Sequence, residues 1–529
     1  MKAPAVQSGL APLGLVVRAC TPATGRGRIA RRGTTHMGIL NFLFKNEGLR
    51  QTAAKNTFWI FVSQIGGRII RAAIVIYAAR AIGAADYGVF SYALGVAALV
   101  GVIADLGIDT AFLKQSSQYP ERFTDYFGTT VALKLAVVAL GAAVVVLLGP
   151  VISRVPAASA LLPLIALTLI FDAFREFGIA VVRTFQKMEL EAVINLITNA
   201  AIVVLGVTFI SIRPTARYLT AGYTIGAGIG MLTAVYLLRQ HLHRIRGRFS
   251  WPLVTELLRI GLPVALAGIL GTLMINTDIL LLGWWRTAAE IGYYSAAQRP
   301  VTLFYAMLGI IPLVIFPIIT KLVRSERERF AEVIRKVMQI SAAVNLPIVV
   351  GGCLVAAPLM TLLYGSAYLA AVPSFQFLLP TLFANFLIVT FTYTLLAFDK
   401  PRTLVWSATI GLISNALFDV ILIPRFGGPG SAAATLVNQT LVASFLWWRV
   451  HRLKPGPIAP KLSRIALAAV LMGLIAWLLN AQGVNVLVTV ALAALVYAGA
   501  LHLLGEPALT ELRSITALVT HPTQREPSV

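Results

Sequence analysis

The strongest constraint on this chain is the recurrence of apolar stretches about 20 residues long, the length needed to cross a bilayer as a helix. Fourteen occur, near residues 57–79, 87–108, 127–149, 158–182, 190–211, 217–238, 260–283, 293–319, 337–363, 374–397, 403–423, 431–448, 463–480 and 485–504. Only 12% of the residues are charged and 58% are hydrophobic, which excludes a soluble globular protein. The expected fold class is therefore an all-α integral membrane protein. The formal charge of +23 does not point to nucleic acid, because the bases are scattered among apolar spans and form no basic domain. Cys20 and Cys353 lie far apart, and no HExxH, CxxC, GxSxG or GxxxxGK[ST] pattern is present, so neither an enzyme nor an ATP-driven machine is expected.

Lysine and arginine set the orientation. With the N-terminus in the cytoplasm, 33 bases fall on the cytoplasmic side and 6 on the other, which predicts two cytoplasmic termini. The expected organisation is a basic N-terminus at 1–56, a six-helix bundle at 57–238, a second at 256–448, two extra helices at 463–504 and a tail at 505–529. Residues 1–36 read as a disordered tail or as sequence upstream of a start at Met37, with an organelle transit peptide as the alternative.

One phrase is written twice: AADYGVFSYA at 84–93 and AAEIGYYSAA at 288–297. Each opens an even-numbered span after an odd-numbered one, so the copies enter the membrane in the same direction. That is the signature of a parallel repeat whose axis runs along the membrane normal. Chance similarity between two small-residue turns is the competing explanation.

Charges inside spans are costly and call for a reason. Gln64, Arg68 and Arg71 share one helical stripe in the first span, and both arginines lie deep enough to predict a wet cavity with forked donors for phosphate oxygens. Asp172, Arg175 and Glu176 share a stripe in the fourth span, either as part of such a site or as a self-neutralising patch. Lys134 and Arg299 sit near interfaces and could snorkel or join the cavity. Asp105, Asp278 and Asp419 are single acids in apolar helices, candidates for ion coupling or for pairing with the bases. Substrate-binding candidates are thus Arg68, Arg71, Gln64, Arg175, Lys134 and Arg299. Coupling or pairing candidates are Asp105, Asp172, Asp278 and Asp419. No metal or cofactor is expected; a H⁺ or Na⁺ gradient is the conceivable energy source.

Several phrases, in order, carry a family resemblance: RAIGAADYGVFSYA (80–93), IADLGIDTAFLK (103–114), GLPVALAGILGTLMINTDILLLG (261–283), AAEIGYYSAAQRP (288–300), FPIITKL (316–322), LLYGSAYLAA (362–371) and ILIPRFGGPGSAAATL (421–436). The chain resembles the lipid-linked oligosaccharide flippases, the polysaccharide-exporter branch of the multidrug/oligosaccharidyl-lipid/polysaccharide superfamily. The resemblance implies flipping of undecaprenyl-diphosphate-linked oligosaccharide across a bacterial cytoplasmic membrane for O-antigen, capsule or exopolysaccharide. It also implies alternating access through a cationic cavity, and a polysaccharide polymerase and chain-length regulator as partners. Two positions depart from the family pattern: Asp419 stands where Asn is more usual, and Ser431 interrupts a GAA run. The competing functions are an organic-cation antiporter of the same superfamily and a membrane glycan polymerase or ligase.

Overall fold

The computed structural model describes residues 66–242, 247–325, 327–453 and 462–506, with residues 55, 58 and 59. Gln64 lies outside the described residues. The described chain is helical, with no strand among the described residues. In chain order the main helices are α1 (Gly67–Asp105), α2 (Ile108–Gln118), α3 (Phe123–Leu147), α4 (Leu162–Thr184), α5 (Met188–Ile212), α6 (Ala216–Leu242), α7 (Trp251–Trp285) and α8 (Ala288–Leu308). They continue as α9 (Ile310–Ser325), α10 (Arg327–Leu354), α11 (Ala356–Tyr364), α12 (Val372–Leu378), α13 (Thr381–Ala397), α14 (Pro401–His451), α15 (Ser463–Ala481) and α16 (Val486–Leu503).

Ten helical stretches among the described residues are long and apolar enough to cross a membrane. The two longest helices far exceed a single crossing: α1 has 39 residues and α14 has 51. At 1.5 Å per residue these would extend about 58 Å and 76 Å, against a hydrocarbon core of about 30 Å. Each is broken by one glycine in a conformation other residues avoid, Gly83 (φ 78°) and Gly427 (φ 60°). These breaks fall at the expected turns between the first and second spans and between the eleventh and twelfth.

Three expected spans are not continuous helices. The stretch 293–319 is interrupted at Gly309, 337–363 at Val355, and 374–397 at Leu379–Pro380. An average of hydropathy over twenty residues passes over such breaks, because a local break in backbone geometry need not alter polarity.

The two copies of the doubled phrase meet. A Cβ on Gly88 would lie 1.7 Å from the carbonyl oxygen of Ala288, and one on Gly292 would lie 1.9 Å from that of Ala84. These four residues hold equivalent places in the two phrases, so the contact is reciprocal, as across a two-fold axis. Thr287 caps α8 by accepting from the Glu290 amide at 3.3 Å, the start of a T-x-x-E box. At the far end of α1, Gly107 (φ 70°) packs against Gly261 of α7, where a Cβ would come within 2.2 Å of the Gly261 oxygen. Both ends of the second span therefore touch the second half of the chain.

The C-terminal pair α15 and α16 packs on α10 through small and apolar side chains, including Ala468, Ala469 and Met472. The Tyr497 hydroxyl donates to the Ala343 carbonyl at 2.8 Å. Their outer faces carry exposed Leu and Val side chains such as Leu495 and Val470, as a lipid-facing surface should.

Candidate functional site

A cavity of about 1190 Å³ lies between the halves, walled by α1, α2, α3, α4 and α6 on one side and by α7, α8, α12, α13 and α14 on the other. A smaller chamber of about 210 Å³ adjoins it within the first half. Arg68 borders both.

The deep stripe of the first span divides between these spaces. Arg68 is exposed and reaches the main cavity, whereas Arg71 borders only the small chamber. Its Nε donates to Asn199 Oδ1 at 2.7 Å, and its guanidinium lies 6.0 Å from the centre of the Tyr223 ring.

Lys134 does not snorkel. It is 1% exposed, and its Nζ donates to Asp105 at 3.1 Å and to Asp109, with the Phe177 ring beneath it at 5.7 Å. Asp105 and Asp109 are four residues apart across the end of α1 and the start of α2, so both carboxylates reach one ammonium. Asp105 is thereby a charge partner.

Arg175 is not in the wall of either chamber. Its guanidinium is taken up by Asp172 at 3.1 Å, Glu176 at 2.7 Å and Asn195 at 2.9 Å. A buried guanidinium needs such partners, and the nearest ones lie on its own helix. Asp172 and Glu176 do border the cavity.

The expectation of a cationic cavity needs correction. Its wall carries Arg68, Lys134, Arg183 and Arg299 against Asp105, Asp109, Asp172, Glu176 and Asp278, so its charge is mixed. The reason is the cost of isolated charge in a membrane interior, which draws in a partner for most bases. Arg183, for example, holds Glu191 at 2.6 and 2.8 Å. Arg68 and Arg299 differ: among the described residues neither forms an ion pair, and the buried Arg299 Nε has no hydrogen-bond partner. One comes from each half of the chain.

In the second half, Asp278 of α7 and Asp419 of α14 are 3% and 0% exposed. Asp278 Oδ2 accepts from the Tyr294 hydroxyl and from Thr435 at 3.1 Å, and Asp419 Oδ1 accepts from Ser431 at 3.3 Å. The two positions that depart from the family pattern are thus hydrogen-bonded to each other. Among the described residues Asp278 Oδ1, Asp419 Oδ2 and Asn415 Oδ1 accept no hydrogen bond, and no base pairs with either acid. Asn415 and Asp419 are four apart on one helix, as are Ser431 and Thr435. Both acids were candidates by sequence; that double i, i+4 pattern was the available signal that Asn415, Ser431 and Thr435 accompany them.

This fold and its central cavity, lined by both charged and apolar side chains, define a multi-pass membrane transporter architecture. The fold matches the solved lipid II flippase MurJ in an inward closed conformation, with a TM-score of 0.66 at 17% identity over 83% of this chain and 97% of that one. It also matches an inward-facing multidrug resistance MATE family transporter of the MOP superfamily, with a TM-score of 0.55 at 14% identity over 73% and 99%. Among curated proteins, a probable low-salt glycan biosynthesis flippase, Agl15 of Haloferax volcanii, is 22% identical over 74% of this chain and 83% of its own length. The succinoglycan biosynthesis transport protein ExoT of Rhizobium meliloti is 22% identical over 80% and 86%. The family model described as polysaccharide biosynthesis protein matches residues 77–373, more than half of the chain. The chain belongs to that family.

Proposed function

We propose that the protein flips a lipid-diphosphate-linked oligosaccharide, of the undecaprenyl type, from the cytoplasmic to the outer leaflet for surface polysaccharide assembly. The observation that carries this reading is the pair Arg68 and Arg299, which line one cavity from opposite halves and have no carboxylate partner among the described residues. Forked guanidiniums suit phosphate oxygens, and a diphosphate between them would tie the two halves together. The halves then rock against each other, closing one face of the cavity where Gly88 and Gly292 meet and parting there to open it, so that the cavity is exposed to each leaflet in turn. The reading places both termini in the cytoplasm of a bacterial inner membrane. A polymerase and a chain-length regulator would receive the flipped unit.

Asp278 and Asp419 are the proposed coupling site. Two buried carboxyls with three unpartnered oxygens around them suit one proton or one small monovalent cation. Occupation would tighten α7 against α14 and bias the second half toward one conformation.

The acidic excess of the cavity wall favours a second reading, antiport of organic cations. Its acids, however, are already engaged by Lys134, Arg175, Tyr294 and Thr435, whereas neither guanidinium has a carboxylate partner among the described residues. In a strain lacking the gene, Arg68→Ala/Arg299→Ala should restore the protein to the membrane but not glycan to the surface. Full surface glycan in that strain would refute the assignment, and drug efflux without any glycan effect would establish the antiporter.

A further inference from the structure

The two sides of the cavity differ in chemistry. The first half contributes most of its charge: Arg68, Asp105, Asp109, Lys134, Asp172, Glu176 and Arg183. It contributes no amide side chain to the wall. The second half contributes two charged residues, Asp278 and Arg299, and all six amides: Asn276, Gln298, Asn385, Asn415, Asn438 and Gln439. Asn415 belongs to the carboxyl pair; the other five are spread over α7, α8, α13 and α14.

Internal hydrogen bonds leave much of this amide surface unused. Asn276 donates to the Thr272 carbonyl at 2.9 Å, which leaves its oxygen open. Asn438 accepts from Ser414 at 2.7 Å, which leaves its amino group open. Gln439 donates to the Tyr305 hydroxyl at 3.1 Å, while its buried Oε1 has no partner. Tyr305 in turn is held by Thr381. Gln298 and Asn385 form no hydrogen bond among the described residues. Gln439 Oε1 is buried without a partner, and Asn276, Gln298 and Asn385 are only partly buried at the cavity wall, so these groups are available to hydrogen-bond a polar occupant.

We infer that this amide wall is the sugar subsite of the cavity: it reads the hydroxyls of a neutral oligosaccharide, while Arg68 and Arg299 hold the phosphates. An amide offers a donor and an acceptor without charge, which matches a sugar hydroxyl in both of its roles. A charged wall would instead cost desolvation without an opposite charge to meet. The inference rests on the lipid-diphosphate reading above. It adds that choice among glycans lies in the second half, away from the ion pairs of the first.

The test uses purified full-length protein in lipid nanodiscs. Two probes are titrated: undecaprenyl diphosphate, and the same lipid carrying a neutral trisaccharide. Wild type should bind the glycosylated lipid about tenfold or more tightly than the bare one, since a site built to hydrogen-bond its ligand discriminates strongly against the form lacking those groups. Gln298→Met and Asn385→Leu keep side-chain volume and break no internal hydrogen bond. Each should reduce the sugar-dependent gain by about fivefold, on the scale of one hydrogen bond, and leave binding of the bare lipid unchanged. That unchanged binding also reports a folded protein. Equal affinity of wild type for the two lipids, or variants that weaken both alike or neither, would overturn the subsite. Arg68→Ala/Arg299→Ala should instead weaken both lipids equally; if it weakens neither, the phosphate reading fails, a result distinct from loss of the sugar gain.

Discussion

Gly88→Ala probes the doubled phrase directly. The new methyl would sit 1.7 Å from the Ala288 oxygen, an impossible separation, and the obstacle is backbone, not a side chain that can swing aside. Restoring a tolerable distance of 3.0 Å requires α1 and α8 to part by about 1.3 Å at this point. Overpacking of this kind costs about 1–3 kcal/mol, so conformations that keep the contact closed should lose population by about 5- to 150-fold. Gly101→Ala in the same helix is the control, because a Cβ there meets nothing within 4 Å. Gly292→Ala should copy Gly88→Ala, and the double variant should cost less than the sum, because one separation relieves both clashes. The assay follows Ser91, which lies one turn beyond Gly88, is buried and borders the cavity. In a Cys20→Ser/Cys353→Ser background, Ser91→Cys should react with a water-soluble maleimide, added at the phrase-bearing face, about tenfold or more faster when Gly88→Ala is present. Gly101→Ala should leave the rate unchanged. Equal labelling rates for Gly88→Ala and Gly101→Ala, with equal melting temperatures, would refute the idea that this contact closes one face of the cavity.

Lys134→Met strands Asp105 and Asp109 without their base and should destabilise the protein by about 3–5 kcal/mol, read as melting in detergent, with part of the loss recovered by adding Asp109→Asn. Asp419→Asn removes one buried carboxyl while keeping its shape, and flipping should then cease to respond to an imposed H⁺ or Na⁺ gradient; an intact response would exclude the carboxyl pair as the coupling site. Tyr497→Phe deletes the bond to the Ala343 carbonyl that ties α16 to α10 and should cost about 1 kcal/mol in melting, without changing transport.

Hydropathy alone made the helical spans legible, because the bilayer imposes one length and one polarity on every crossing. The turns at Gly83 and Gly427 were legible for a similar reason, since short Gly-containing segments separated the apolar runs. The partners of the intramembrane charges were less accessible. Lys134 read equally as a snorkelling lysine or as part of the cavity because its partners lie on another part of the chain, even though Asp105 and Asp109 were already spaced to share one base. Arg175 looked equally suited to a substrate or to its neighbours, and only packing decided that Asp172, Glu176 and Asn195 occupy it. The amide wall escaped notice for a different reason. Asn and Gln cost less than charges in an apolar helix, so no single one stands out, and their convergence from α7, α8, α13 and α14 is a property of tertiary structure. Asp419 and Ser431 were noticed separately as departures from a family pattern; their hydrogen bond makes them one feature.

Reconstituted flipping offers the most direct test of two guanidiniums holding a lipid diphosphate. Purified protein in proteoliposomes, supplied with undecaprenyl-diphosphate-linked oligosaccharide, should move it between leaflets in the wild type. Arg68→Ala and Arg299→Ala should each slow that movement by about tenfold or more, since each removes a charge-assisted contact worth about 1.5–3 kcal/mol. Wild-type rates in the Arg68→Ala/Arg299→Ala double variant, with the protein folded and inserted, would contradict the proposed role of both residues.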